Sequence, residues 1–368
     1  LLQMTKTKRP DIQGTRGLAI AAVLAFHLDG AQFPAGFVGV DMFFVLSGYL
    51  MSSILAREAT IDMKVLLSFY TRRFKRIVPL YSILLITLFV LVPLFLLRRD
   101  VTKFVIDSKW AAAFSTNIHS LQEKSDYFAE LYDSNVLTHT WSLGVEIQYY
   151  LIVPFLITIQ RLAGDQFGKL YLLILIAASF SFQCFSSAIV SFNAMSSRVW
   201  QFLAGAFAHE VNLPGPSEEM KLKVVGTEEK SIRTGEMLEI SEILSNHTIS
   251  VISRSTPSLL TVLLLILSLS PVQLLPNEVL RATTIALTAA IIVLGRVEEH
   301  QSLLLTNRPI VYLGDISYVV YLVHWPVIIM WKSYWDLNEL RAKEILICIS
   351  ITCLVSILMH HTLEKMFI

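Results

Sequence analysis

The sequence predicts an all-α fold, a polytopic membrane bundle of about ten transmembrane helices. Three observations carry that expectation. Mean hydropathy is +0.60, with 54% of residues apolar and only 16% charged, whereas a soluble domain is about one quarter charged. Apolar runs of span length recur along the whole chain, each long enough to cross a hydrocarbon core. Lysine and arginine in the connections also alternate between dense and sparse, as they do in polytopic proteins.

In order, the predicted spans lie near residues 13–30, 36–56, 77–97, 141–160, 168–190, 197–210, 257–272, 279–295, 310–332 and 343–363. Those at 13–30, 197–210 and 257–272 are short or interrupted. With a cytosolic N-terminus the inside segments hold 20 Lys and Arg and the outside segments 10. The densest short loop, 57–76, then falls inside, as the positive-inside rule requires. Both termini are read as cytosolic, and LLQMTKTKRP as a cytosolic lead-in rather than a cleaved signal peptide. The chain forms one domain, 1–368, with two long connections. Residues 98–140 are an outer loop, able to fold over the helices as a lid; 211–256 are a Glu- and Lys-rich cytosolic loop expected to be flexible. No internal repeat is visible, which weighs against a transporter built from duplicated halves. The net charge of +1 is dispersed, against a nucleic-acid surface. Cys184, Cys348 and Cys353 sit in apolar runs with no disulfide or metal spacing.

Ionisable residues inside apolar runs are the functional signal, because charge in hydrocarbon is expensive. Arg16 and His27 are eleven residues apart, three helical turns plus about 20°, so they share one stripe separated by about 16 Å of rise. Asp41 opens the next span after the turn 29–36. On the outer half lie His27, Asp41, His139, Glu146, Arg198 and His324; at the inner face lie Arg16, Arg72, Arg73, Lys75 and Arg76. Acid–base groups are thus expected at one membrane level and anion-binding groups at the other. A mid-span imidazole can take a proton from a hydroxyl near neutral pH. Asp41 either orients that imidazole or pairs with a cation to fix helix packing. Glu146 is either a base or an ion-pair partner of Arg198. His324 precedes Trp325-Pro326, where a proline can kink a span, so a structural role is equally open. Arg73 and Arg76, at i and i+3, share a helix face suited to phosphate oxygens, although topology alone would also place cations there. Phe43-Phe44 and Tyr149-Tyr150 read as packing, and Ser47 as a small residue allowing close helix contact.

The blocks RGLAIAAVLAFH, GFVGVDMFFVLSGYL, FYTRRFKRIVP, THTWSLGVEIQYY, RVWQFLAG and LGDISYVVYLVHWP, in that order, resemble the acyltransferase-3 family of multi-pass membrane O-acyltransferases. Their phrasing looks most like animal, particularly nematode, members. The resemblance runs from about residue 10 to residue 367 and implies transfer of an acyl group from cytosolic acyl-CoA to a hydroxyl of a carbohydrate or lipid beyond the membrane. It implies Arg16 and His27 as the family's arginine-then-histidine pair, the histidine needed for catalysis. It also implies Arg72, Arg73 and Arg76 as contacts for coenzyme phosphates, Trp141, Ser142 and Glu146 as the WSL-x-VE block, and Ser317, Tyr318, Tyr321 and His324 as the late block. Many bacterial members carry glutamate where this chain has Gln201, and proline where it has Met366.

The expected site is therefore His27, Asp41 and Glu146 for chemistry, Arg16, Arg72, Arg73 and Arg76 for acyl-CoA, and Trp141, Ser142, Arg198, Tyr318 and His324 lining it. No metal and no permanently bound cofactor is expected; acyl-CoA is the co-substrate, and membrane lipids and the acceptor are the other partners. The membrane is either an endomembrane or the plasma membrane. His27 either accepts the acyl group transiently or deprotonates the acceptor. The rival readings are a proton-coupled transporter, which would consume no acyl-CoA, and a catalytically silent lipid-binding protein on the same fold.

Overall fold

The computed structural model describes residues 9–123, 135–211, 255–297 and 300–367, and among them all regular structure is helical. Six helices are long and apolar enough to cross a membrane: Val38–Leu55, Met63–Phe95, Thr138–Leu162, Gly164–Phe185, Asn277–Leu294 and Ala342–Phe367. Arg308–Asp315 and Ser317–Tyr334 make a seventh if that pair, bent by 72°, is one span. Helices also occupy the other three predicted spans. Pro10–Leu28 is 19 residues long but too polar to qualify, and Met195–Glu210 and Ser255–Leu269 are too short.

Local signals set the helix ends. Pro10 opens the first helix with Asp11 in its first turn, where a missing N–H and a negative charge both suit the terminus. Asp62 caps the 33-residue helix Met63–Phe95 by accepting from the Val65 N–H at 2.8 Å. Two arginines close helix C-termini whose last carbonyls would otherwise lack donors. Arg161 donates to the carbonyls of Leu55 and Glu58, the latter at 2.9 Å. Arg296 donates to those of Ala208, His209 and Val211. These cations lie on the face where Pro10–Leu28 begins, called the first face below. The opposite, second face carries Leu28 and the starts of Val38–Leu55 and Trp141–Leu162.

Pro10–Leu28 and Val38–Leu55 form the centre of the bundle. Ala19, Ile20, Ala22, Val38 and Val45 are fully enclosed, while Ala342–Met359 buries only Cys348, Thr352 and Ser356. Large apolar side chains such as Ile86, Val90, Leu94 and Ile174 face outward, a surface compatible with lipid rather than water. The first helix meets Arg308–Asp315 backbone to backbone. A Cβ on Gly314 would overlap the Gln13 carbonyl, and one on Gly17 the Ile310 carbonyl, so small residues permit the approach. That crossing leads the chain round the bend at Ile316 into Ser317–Tyr334, which then runs beside the first helix. Ser317–Tyr334 is a continuous helix with Pro326 inside it.

Part of the long connection 98–140 is folded against the bundle. Arg98–Ala112 and Thr116–Glu123 are helices; Tyr81 Oη donates to the Ala111 carbonyl at 2.9 Å, and Asn117 and Gln148 exchange amide hydrogen bonds. Residues 124–134, and almost all of the connection 211–256, lie outside the described residues.

Candidate active site

Towards the first face, Arg16, Arg73, Arg76, Glu146, Tyr150 and Tyr318 line a cavity of about 80 Å³, closed by Phe43, Leu50 and Met51. Arg16 donates through Nε and Nη2 to Ser317 Oγ, at 3.2 and 3.0 Å. Glu146 accepts a short hydrogen bond from Ser47 Oγ and another from Tyr150 Oη at 2.5 Å. Among the described residues no ion pair joins Arg16, Arg73 or Arg76 to a carboxylate, and the buried Nε of Arg73 makes no hydrogen bond. Three guanidinium groups thus face one carboxylate that is held by two hydroxyls, and the surplus positive charge is suited to an anion. Arg72 does not share this wall. It is exposed, because one residue along the helix turns its side chain about 100° from that of Arg73.

Near the second face lies a group of imidazoles. His27, in the last turn of Pro10–Leu28, has Nδ1 at 2.9 Å from His324 Nε2, with the two rings stacked. His324 is fully buried and its Nδ1 sits 2.8 Å from the Tyr321 carbonyl and 3.1 Å from that of Val320. A carbonyl only accepts, so His324 Nδ1 carries a proton and its Nε2 a lone pair. His27 Nδ1 must then donate, and the tautomer assigned from this network leaves His27 Nε2 as the basic nitrogen. Trp325 packs on His27 with centroids 4.8 Å apart, and the His139 ring lies 5.8 Å from that of His324. His27 also lines a cavity of about 280 Å³ at the second face, with Asp29, Trp325, Lys332, Asn338 and Glu339 among its walls.

The remaining predicted residues sort differently from expectation. Asp41, fully buried, accepts from Arg281 Nη1 at 2.8 Å to both oxygens and lies 3.5 Å from Arg198 Nη1. Its carboxylate is thus the centre of a buried ion-pair cluster, and the group hydrogen-bonded to His27 Nδ1 is His324. Arg198 also donates from Nε to the Phe192 carbonyl at 2.9 Å and lies over the rings of Phe192 and Trp141. It does not pair with Glu146. Glu146 lines the arginine cavity, whereas His27 does not. Trp141 is buried and shares with His27, Asp41 and Arg281 the wall of a void of about 10 Å³. Ser142 is hydrogen-bonded to Tyr321 Oη at 2.6 Å, and Tyr321 Oη to the His139 carbonyl at 2.7 Å. Tyr318 donates to the Ile77 carbonyl at 2.8 Å.

Two separate centres result. Tyr321 and Ser142 line the arginine cavity, and the Tyr321 ring packs against His324 at 5.6 Å, so this pair forms the layer between the arginines and the imidazoles. His27 is turned into the protein and away from lipid, but it is not part of the arginine cavity's wall. The sequence reading did not single out Arg281 or Tyr150 for the site. Tyr150 stands at i+4 from Glu146, a spacing that brings helix side chains together. Arg281 sits just inside a predicted span, where a charge is a functional signal by default. Among the described residues no group of three or more His, Cys, Asp or Glu is placed to hold a metal ion.

A family model described as an acyltransferase domain matches residues 9–361. Over 97% of the chain the sequence is 25% identical to a putative peptidoglycan O-acetyltransferase, YrhL, of Bacillus subtilis, covering 54% of that protein. Over 40% of the chain it is 34% identical to the O-acetyltransferase OatA of Staphylococcus aureus, covering 24% of that protein. Over 39% it is 35% identical to the peptidoglycan O-acetyltransferase OatA of Listeria monocytogenes, covering 23%. The chain thus spans about half the length, or less, of these curated relatives. They are bacterial, and the expected likeness to animal members is not borne out. No solved structure matches the chain.

Proposed function

The chain belongs to the acyltransferase-3 family, and on that premise we propose that it moves an acyl group from acyl-CoA, bound at the first face, to a hydroxyl presented at the second. The Lys and Arg distribution supports a cytosolic first face. Residues 1–368 act as one acyltransferase domain. The coenzyme's phosphates meet Arg73 and Arg76 at the mouth of the cationic cavity, with Arg16 deeper in. The rise between Arg16 and His27 is about 16 Å, a distance that an extended pantetheine arm can span. To reach His27 the thioester must pass the Tyr321–Ser142 contact.

At His27 the chemistry is acyl transfer. Nε2 takes the proton of the acceptor hydroxyl as its oxygen attacks the thioester carbonyl; the carbon–sulfur bond then breaks and the sulfur leaves as CoA thiolate, which takes up a proton. His324 holds the ring through Nδ1 and shares the positive charge that develops, as an orienting partner does in hydrolase triads. A transient acyl-histidine formed at Nε2 would use the same geometry. The names of the relatives make acetyl-CoA the first donor to try, and a carbohydrate or lipid hydroxyl the acceptor, in an endomembrane or the plasma membrane.

The observation that carries this reading is the pairing of His27 with His324 at 2.9 Å on the same helix that presents Arg16 to the cationic cavity. Release of free CoA thiol from acetyl-CoA by the purified protein tests it. Acceptor-dependent release is expected from the wild type and not from His27→Ala; equal release from both would contradict it.

A further inference from the structure

His324 holds His27 at one ring nitrogen, and a single hydrogen bond leaves a ring able to swing about it. Two aromatic rings pack against the imidazole: Phe26, with centroids 5.4 Å apart, and Trp325, at 4.8 Å. The torsion that turns an indole is broad, so Trp325 is held largely by its one polar atom. That atom is Nε1, a donor only, and it donates to the Asn135 carbonyl at 2.9 Å. Asn135 lies near the end of the connection 98–140, and its side chain is bonded at both ends. Oδ1 accepts from the Leu137 N–H at 2.9 Å, and Nδ2 donates to Asp107 Oδ2 at 3.1 Å. The Asn135 carbonyl also accepts from Thr138 Oγ1 at 3.2 Å. Asp107 is buried on the helix Arg98–Ala112. Its other oxygen lies 3.1 Å from Nε2 of His119, on Thr116–Glu123, and the His119 ring stacks on Trp110 at 4.9 Å. Direct contacts thus run from the folded connection through Asn135 and Trp325 to His27. None of these residues lines the arginine cavity.

We propose that Asn135 is a positioning residue for His27: by fixing the Trp325 indole it holds the imidazole in the orientation that keeps the proton on Nδ1 and the lone pair on Nε2. The Asp107–Asn135 hydrogen bond then makes that orientation depend on the connection 98–140. A reacting group must be held to within a fraction of an ångström and some tens of degrees, which is the work of the hydrogen bonds and packing around it. Loss of this support costs turnover and not acyl-CoA binding, because no link of the path touches the arginines. The inference rests on the acyl-transfer reading for its purpose, but the state of the His27 ring can be read without turnover.

The test exchanges donor and acceptor. Asn135→Asp sets two carboxylates against each other. Adding Asp107→Asn restores the bond with its direction reversed: the new amide at 107 donates to the new carboxylate at 135 and still accepts from His119, with net charge unchanged. Two readouts use the purified full chain in detergent. One is the kinetics of CoA thiol release from acetyl-CoA with an N-acetylglucosamine tetramer as acceptor. The other is the ¹⁵N-histidine spectrum without substrates, which shows which ring nitrogen carries the proton; the His27 signals are those missing in His27→Ala. Asn135→Asp should lower kcat by about fivefold, the loss of one hydrogen bond, with KM for acetyl-CoA within about twofold, and should turn the His27 signal into a tautomer mixture. The double variant should recover the wild-type kcat and signal. Tyr81→Phe loosens the same connection at the Ala111 carbonyl and should change neither. If Asn135→Asp does not fold, Asn135→Ala, which adds no carboxylate, carries the same expectations. An unchanged His27 signal in the Asn135 variant, no recovery in the double variant, or an equal effect from Tyr81→Phe would each overturn the proposal. If the His27 signal behaves as expected but no CoA thiol is released by the wild type, the acyl-transfer reading fails and the positioning of His27 stands.

Discussion

At Arg16 and at His27 the same helix meets two kinds of surroundings. Around Arg16 the groups are formally charged, with three arginines and one glutamate in a cavity of about 80 Å³, and the cationic excess is uncompensated by ion pairs among the described residues. Around His27, three turns on, the hydrogen-bonded chain runs from one neutral ring to another and ends on a backbone carbonyl. On the acyl-transfer proposal, the first arrangement would hold a charge that arrives with a ligand and the second a proton that must move. A third group, Asp41 between Arg281 and Arg198, is charge of another kind: wholly buried and paired with cations. Counting ionisable residues in spans therefore does not separate catalysis from architecture. Their partners do.

The widest contrast is between His27 and Asp41. Replacing His27 with Ala should lower acyl transfer by about 10²–10⁴-fold, the range for a general base, while leaving the thermal unfolding midpoint in detergent nearly unchanged. Replacing Asp41 or Arg281 with Ala should do the reverse to the fold: removing one partner of a buried pair costs about 3–5 kcal/mol, visible as a large drop in that midpoint. An Asp41→Ala protein as stable as wild type but inactive would move Asp41 back into the chemistry. Next in size, Arg73→Ala with Arg76→Ala should raise KM for acyl-CoA by about tenfold or more, as lost charged contacts do, with a smaller change in kcat. Arg72→Ala should leave both constants unchanged, and an equal effect from Arg72 would mean that overall positive charge matters rather than the cavity. The smallest effect is expected at the layer between the centres. Tyr321→Phe removes the hydrogen bonds to Ser142 and the His139 carbonyl, each worth about 1 kcal/mol, and should change kcat by about fivefold without altering KM for acyl-CoA.

Much of this was legible in the sequence, and the reasons differ by residue. Helices lie along all the predicted spans, because apolar runs must be helical in hydrocarbon to satisfy their backbone, although six of them, or seven with the bent pair, are long and apolar enough to cross a membrane. The Arg16–His27 relation followed from helical rise alone. Side chains whose partners come from distant segments were not legible. Asp41 finds Arg281 240 residues away. Glu146 was not expected beside the arginines because their cavity extends as far as Ser142, next to Trp141. His324 was left between a structural role and a site; its contact with His27 joins segments 297 residues apart and shows only in the folded chain.

The central claim is that donor and acceptor meet at His27 from opposite faces. It is tested most directly in sealed proteoliposomes of known orientation, with radiolabelled acetyl-CoA on the side of the N-terminus and a membrane-impermeant oligosaccharide on the other. Label on the oligosaccharide, lost in His27→Ala, is the predicted result. Labelling only when both substrates share one side would contradict the account.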